Sequence, residues 1–263
     1  MRAGTLIGII LGLGSIIGAF LIEGGAPGAL FLFPPMLIVF GGTIAVGFAG
    51  SSAEQMKKIP SLMKKAFFPV KYNYEEIIDS IVEFAQLTKK DGILSLEPKL
   101  DKIKYPFLRK LFRVAIDVSD ADTLTNIAQS EINFVSERHN SNINLFVKMG
   151  GYSPTMGIIG TVMGLISTFA AAGSEPVVLI RHIASAFIAT MWGITFANLV
   201  LLPIGDKLRY LHNKEMMLMD LMHDGVRGVL LSENPTLLRS RLLGAFPVNE
   251  QEKFNNKYIS KGF

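Results

Sequence analysis

The sequence predicts an all-α integral membrane protein with four transmembrane helices and a helical cytoplasmic domain. Four apolar runs, roughly 5–22, 30–49, 152–172 and 183–202, contain no Asp, Glu, Lys, Arg or His. Each is close to the about 20 helical residues that a bilayer's hydrocarbon core requires. Charged residues make up only 18% of the chain and cluster between these runs, whereas a soluble domain spreads a larger share over its surface.

The first run follows a single positive charge, Arg2. A signal peptide is the competing reading, but no small-x-small cleavage pattern precedes a polar mature region. The short gap from Glu23 to Gly28 instead leads into the second run, which predicts a transmembrane hairpin over 1–50. Gly4, Gly8 and Gly12, then Gly14 and Gly18, recur at or near four-residue spacing, a device that lets helix backbones approach closely, within the chain or between copies.

Residues 51–149 are expected to form a cytoplasmic helical domain. Lys57, Lys58, Lys64 and Lys65 alternate with Ile59, Leu62, Met63 and Phe67, as in a basic amphipathic piece lying at lipid headgroups. Asn73 followed by Glu76 is a cap signal for a helix that ends at Asp91-Gly92. Further helices are expected over 107–118 and from about Asp122 towards Met149, with Gly150-Gly151 as the flexible point before the third span.

The second hairpin spans 150–203, and its first helix repeats the small-residue device with Gly157, Gly160 and Gly164. Over 204–263 the sequence predicts cytoplasmic helices and a tail. One is a long helix over 206–231 with a methionine stripe, Met216, Met217, Met219 and Met222, read as adaptable packing. A short helix follows from Asn234-Pro235, and the polar end from Asn249 is expected to be loose.

Orientation follows from Lys and Arg. The link inside the first hairpin has none and that inside the second only Arg181, whereas fifteen lie between the hairpins and nine after the fourth span. Positive-inside bias therefore places both long segments and both termini in the cytoplasm. The same bias accounts for the net charge of +4, so nucleic acid is not an expected partner.

Several chemistries find no support in the sequence. There are no cysteines, no phosphate-cradling Gly-x-x-x-x-Gly-Lys-Ser/Thr loop and no Gly-x-Ser-x-Gly elbow. His139, His182, His212 and His223 lack metal-ligand spacing and read as ordinary surface or helix residues. No catalytic residue, metal or cofactor is expected, and the chain is not read as an enzyme.

Ion-coupled membrane proteins generally hold an ionisable side chain near the midplane. These spans have none, so any ion-carrying carboxylate has to come from another subunit. The spans do offer hydroxyls: Thr161, Ser167 and Thr168 in the third, Thr190 and Thr195 in the fourth. Taken singly, each can be satisfied by its own helix carbonyls.

Three stretches resemble the MotA family of flagellar-stator membrane subunits. They are Gly-Gly-Tyr-Ser-Pro-Thr-Met-Gly-Ile-Ile-Gly-Thr-Val-Met-Gly-Leu-Ile (150–166), Ala-Phe-Ile-Ala-Thr-Met-Trp-Gly-Ile-Thr-Phe-Ala-Asn (186–198, running to Pro203), and Lys-Lys-Asp-Gly-Ile-Leu-Ser-Leu-Glu (89–97). The order of two spans, a cytoplasmic segment, two spans and a basic tail also matches. TolQ and ExbB, of the same superfamily, resemble three-span proteins without the first hairpin.

The resemblance implies an inner-membrane stator in which a homopentamer of this chain surrounds a MotB dimer. The single-span MotB-type subunit supplies the ion-carrying aspartate. It places the paired stator prolines at Pro154 and Pro203, as elements of conformational coupling, and a channel threonine at Thr190. Thr161 stands seven residues after Pro154, where sodium-driven members are similar to this chain and the best-known proton-driven member has alanine. The transported ion is H+ or Na+, and a threonine oxygen can replace part of a sodium hydration shell. The family's rotor-binding pair, a basic residue eight before a glutamate, falls on Lys89 and Glu97, with Lys90 beside it and FliG as the expected rotor partner. Lys89 stands where the family often has arginine, which keeps the charge but loses the guanidinium fork. Membrane lipid is the remaining expected partner. An ExbB/TolQ-like energiser, a non-conducting scaffold and a stand-alone transporter are the competing readings.

Overall fold

The computed structural model describes residues 4–118 and 120–260, with side chains to 254. Among them every regular element is helical, and the all-α expectation holds. Two compact units emerge, one from residues up to 70 together with 139–211, the other from 71–138 together with 212–263.

The first unit holds the apolar helices. Helix α1 (Gly4–Ile22) buries none of its residues. The second apolar helix opens with a 3₁₀ turn at Pro27–Leu30, then runs through α2 (Phe33–Met36), a widened π turn (Leu37–Gly41) and α3 (Gly42–Ala49). Pro34 and Pro35 fall in its first turn, where their missing N–H groups cost nothing. Two short helices follow, α4 (Ala53–Lys57) and α5 (Ile59–Phe67). At the start of α4, Ser52 and Gln55 exchange hydrogen bonds as a capping box.

Helix α8 (Ala121–Ala170) contributes its later residues to this unit as the third apolar helix. The fourth comprises α9 (Pro176–Phe196), a π turn (Ala197–Leu201) and the start of α10 (Leu202–Leu230). Pro203 cannot donate to the carbonyl four residues back, and the widened turn lies just ahead of it.

Helix α8 runs without interruption through Gly150-Gly151, the expected flexible point. Gly150 serves close approach instead: a Cβ there would lie 2.6 Å from Cδ2 of Leu202. Met56, Leu62 and Ala66 pack with Ile143, Phe146, Met149, Leu201, Ile204 and Leu208 in one apolar cluster. Away from it the apolar helices display large hydrophobics outward, with Phe33 74% and Phe169 75% exposed. Surfaces of this kind belong against lipid or another chain.

The second unit is built from polar-faced helices around an ordinary core. Helix α6 (Tyr74–Asp91) starts where the Asn73 side chain accepts from the Glu76 N–H, as the cap signal predicts. It ends at Gly92, whose φ of +79° is readily adopted only without a Cβ. A 3₁₀ stretch (Ile93–Lys102) not anticipated from the sequence leads to α7 (Pro106–Val118). Ile77, Ile81, Leu108, Phe112, Leu124 and Leu238 are among the residues closing the core. In the methionine stripe, Met219 and Met222 are buried, as packing requires.

Helix α11 (Pro235–Leu243) is capped by Asn234, which accepts from the Thr236 N–H at 2.9 Å. The end expected to be loose is instead helical as α12 (Val248–Ser260). Phe254 holds it, set edge-on to Phe246 at 5.3 Å and accepting through its carbonyl from Arg239.

Candidate functional site

The third and fourth apolar helices run antiparallel in an unusually close register. Built-on Cβ atoms at Gly164, Gly160 and Gly157 would meet Ala186 at 2.7 Å, Ala189 at 2.5 Å and the Ala189 carbonyl at 2.9 Å. Gly193 returns the contact, its Cβ position lying 2.9 Å from the Ser153 carbonyl. Small residues on both helices thus bring the backbones together.

That register places Thr161 opposite Thr190, and their hydroxyls are hydrogen-bonded to each other. The Thr161 hydroxyl also lies within reach of the Gly157 carbonyl at 3.1 Å and the Ala186 carbonyl at 3.2 Å. It has one proton to give. When that proton goes to a carbonyl, Thr190 donates to Thr161 and keeps its own acceptor capacity. Both side chains are half-buried.

About two turns earlier on the third helix, Ser153 is fully buried and donates to the Gly193 carbonyl at 2.9 Å. It is the residue before Pro154, whose missing N–H leaves the Gly150 carbonyl without its usual helical donor. Gly150 in turn abuts Leu202, the neighbour of Pro203. The two prolines therefore lie at the same end of the helix pair. Sequence reading missed Ser153, because one serine in a span is commonly satisfied by its own helix. The spacing of Ala186, Ala189 and Gly193 was the available signal, since it mirrors the glycine row it meets.

The second apolar helix braces this pair. Trp192 donates from Nε1 to the Leu30 carbonyl at 2.7 Å and lies against Phe31 and Phe40, whose ring centroids are both 5.8 Å away. A Cβ on Gly42 would meet the Met156 sulfur at 2.6 Å.

In the second unit, Lys89 and Lys90 are exposed at the end of α6. With Gln86, Asn234, Pro235 and Thr236 they line an open groove of about 360 Å³. Glu97, on the 3₁₀ stretch, is exposed and does not line this groove. The same unit buries two of the four histidines, His212 and His223, both on helix α10. Nε2 of His223 is 3.1 Å from the Thr125 hydroxyl, and Nε2 of His212 is 3.5 Å from that of Ser136. Burial lowers the pKa of His223 despite the nearby Asp224 and Asp220 carboxylates, and burial raises that of Asp220.

Two family models match the chain: the MotA/TolQ/ExbB proton channel family over residues 99–221 and Motility protein A N-terminal over residues 6–92. Motility protein A of Bacillus subtilis is 30% identical, across 95% of this chain and 93% of that protein. Chemotaxis protein PomA of Vibrio alginolyticus is 31% identical, across 92% and 94%. Among solved structures, the flagellar MotAB stator complex from Bacillus subtilis superposes with a TM-score of 0.88 at 30% identity, covering 95% of this chain and 98% of its counterpart.

Proposed function

The chain belongs to the MotA/TolQ/ExbB proton channel family, and from that premise we propose that it is a flagellar motor stator subunit of the bacterial inner membrane. With a MotB partner it forms an ion-conducting unit that converts ion-motive force into torque on the rotor. One observation carries this reading: four apolar runs free of ionisable groups, the third and fourth of which pack closely around a pair of hydroxyls. Such a wall can guide an ion carried by another subunit's carboxylate but cannot carry it alone. The match of the first hairpin to the Motility protein A N-terminal model favours a stator over a three-span energiser.

Five copies of the chain surround a MotB dimer, with both termini and the two charged segments, 51–149 and 204–263, in the cytoplasm. The Lys and Arg bias supports that orientation. Thr161 and Thr190 line the path of the ion, H+ or Na+, as it reaches the partner's aspartate. Neutralising that aspartate changes its fit against the hydroxyl pair, and the ring steps around the MotB dimer. One charge crossing 100 mV supplies about 2.3 kcal/mol, enough to bias a two-state step and too little to break a packed core.

Pro154 and Pro203 lie at the same end of the helix pair and each removes one backbone donor, so backbone shifts there meet fewer hydrogen bonds. They pass the step to the cytoplasmic segments. Lys89, Lys90 and Glu97, all exposed, present the charges that engage FliG.

Swimming of a stator-deleted cell carrying this chain and its MotB-type partner, with and without sodium, tests the reading. Restored motility supports it, and its dependence on sodium identifies the ion. Failure of the pair to restore motility in a host whose rotor accepts it would sink it.

A further inference from the structure

We propose that the α4–α5 segment is a docking surface for anionic phospholipid headgroups of the leaflet facing the charged segments. The proposal rests on the membrane-embedded reading above and deepens it by naming the lipid class and the residues.

Helix α5 is strongly two-sided. Leu62 and Ala66 are buried, and Ile59, Met63 and Phe67 are half-buried against the same apolar cluster. Lys57, Lys58, Lys64 and Lys65 are all exposed, and none has an ion-pair partner among the described residues. Glu54 is the only acidic residue between 51 and 70. Beyond the helix, Phe68 and Val70 stand 68% and 74% exposed. Lysines flanking exposed large apolar side chains suit a headgroup boundary, where ammonium groups meet phosphates and the apolar groups reach the upper acyl chains.

Attachment fixes the segment at that boundary. Gly50 closes the second apolar helix, and the Ser52/Gln55 capping box turns the chain at once into α4. Gln55 Nε2 donates to the Ser141 hydroxyl at 2.5 Å, and a Cβ on Gly47 would touch Met56 at 3.1 Å and Met149 at 3.3 Å. The basic face is thus tied to the ends of two membrane helices. An acidic protein segment would find the lysines equally attractive, but not the adjoining exposed Phe68 and Val70, which favour lipid.

Lipid retention measures this directly, without torque, so its outcome is independent of whether the stator reading holds. The complex with its partner is purified in neutral detergent and offered phosphatidylglycerol or phosphatidylcholine, with bound lipid counted by native mass spectrometry. A lysine at an anionic surface is worth about fivefold in affinity. The wild type and a K57R/K58R/K64R/K65R variant should prefer phosphatidylglycerol by at least about tenfold, and K57Q/K58Q/K64Q/K65Q should lose most of that preference. In the wild type alone, raising salt from about 0.05 M to about 0.5 M should erode it, because exposed charges are screened. Equal retention of the two lipids, a preference untouched by salt, or one that survives in the glutamine variant would overturn the proposal.

Discussion

Gly157 and Gly193 meet backbone to backbone, so that a Cβ on Gly193 would lie 3.0 Å from the Gly157 Cα. Neither neighbour is a flexible side-chain tip that can swing aside, so the third and fourth apolar helices would have to separate. Gly193→Ala should therefore lower stability by about 1–3 kcal/mol, as overpacking commonly does. Gly151→Ala, with open space around it, should be neutral or slightly favourable in the helix. Thermal unfolding of the detergent-solubilised chain compares the two.

The hydroxyl pair should behave as one unit. Thr161→Val and Thr190→Val each remove a partner from the same hydrogen bond, so the double variant should cost less than the two singles added. The expected coupling is about 0.6 kcal/mol, the order seen for bonds between membrane helices. Strict additivity in unfolding measurements would show that the two hydroxyls do not depend on each other. Swimming speed of the same variants, followed across sodium concentration, reads their share in the ion path.

The prolines should matter for motion more than for assembly. Pro154→Ala and Pro203→Ala restore a backbone donor within helices that are otherwise continuous. Membrane levels should stay near wild type while bead-rotation torque falls severalfold. Normal torque in both variants would remove the prolines from the coupling path.

Charge reversal tests the residues proposed to engage the rotor. Lys89→Glu with Lys90→Glu, or Glu97→Lys, should reduce swimming severalfold at unchanged membrane level, because these exposed groups stabilise little in the fold. A drop in membrane level that parallels the motility loss would mark them as structural.

Acid should weaken the second unit through His223. Its folded pKa lies below the ordinary 6.5, so the unfolded chain binds the proton more readily. The contribution is complete above 6.5 and is lost as pH falls towards the folded value. Asp220 acts in the opposite sense: its raised pKa gives stability present below 3.8 and lost as pH rises through the folded value. Between about pH 5 and 7 the histidine is the group expected to dominate. His223→Gln should flatten the pH dependence of the melting temperature in that range, and an unchanged slope would assign it elsewhere.

Much of this architecture was legible in the sequence because membrane and helix-end signals are local. Apolar runs without charge mark spans, Asn73 with Glu76 and Asn234 with Pro235 mark helix starts, and Gly92 marks a stop. The glycine row at 157, 160 and 164 also announced a tight contact, although not its partner. What escaped depended on tertiary neighbours. The sequence marks Gly150 as a flexible point and gives no sign of Leu202 against it, nor of the Gly193 carbonyl that the Ser153 hydroxyl meets. The tail from Asn249 carries too few apolar residues to predict a packed helix, yet Phe254 on Phe246 anchors one.

The most direct measurement is ion flux into vesicles reconstituted with this chain alone, with its MotB-type partner, and with a partner whose transmembrane aspartate is changed to asparagine. The chain alone and the asparagine complex should stay silent, while the intact pair conducts. Coupled, saturable flux through the chain by itself would contradict the claim that these charge-free helices work only by enclosing another subunit's carboxylate.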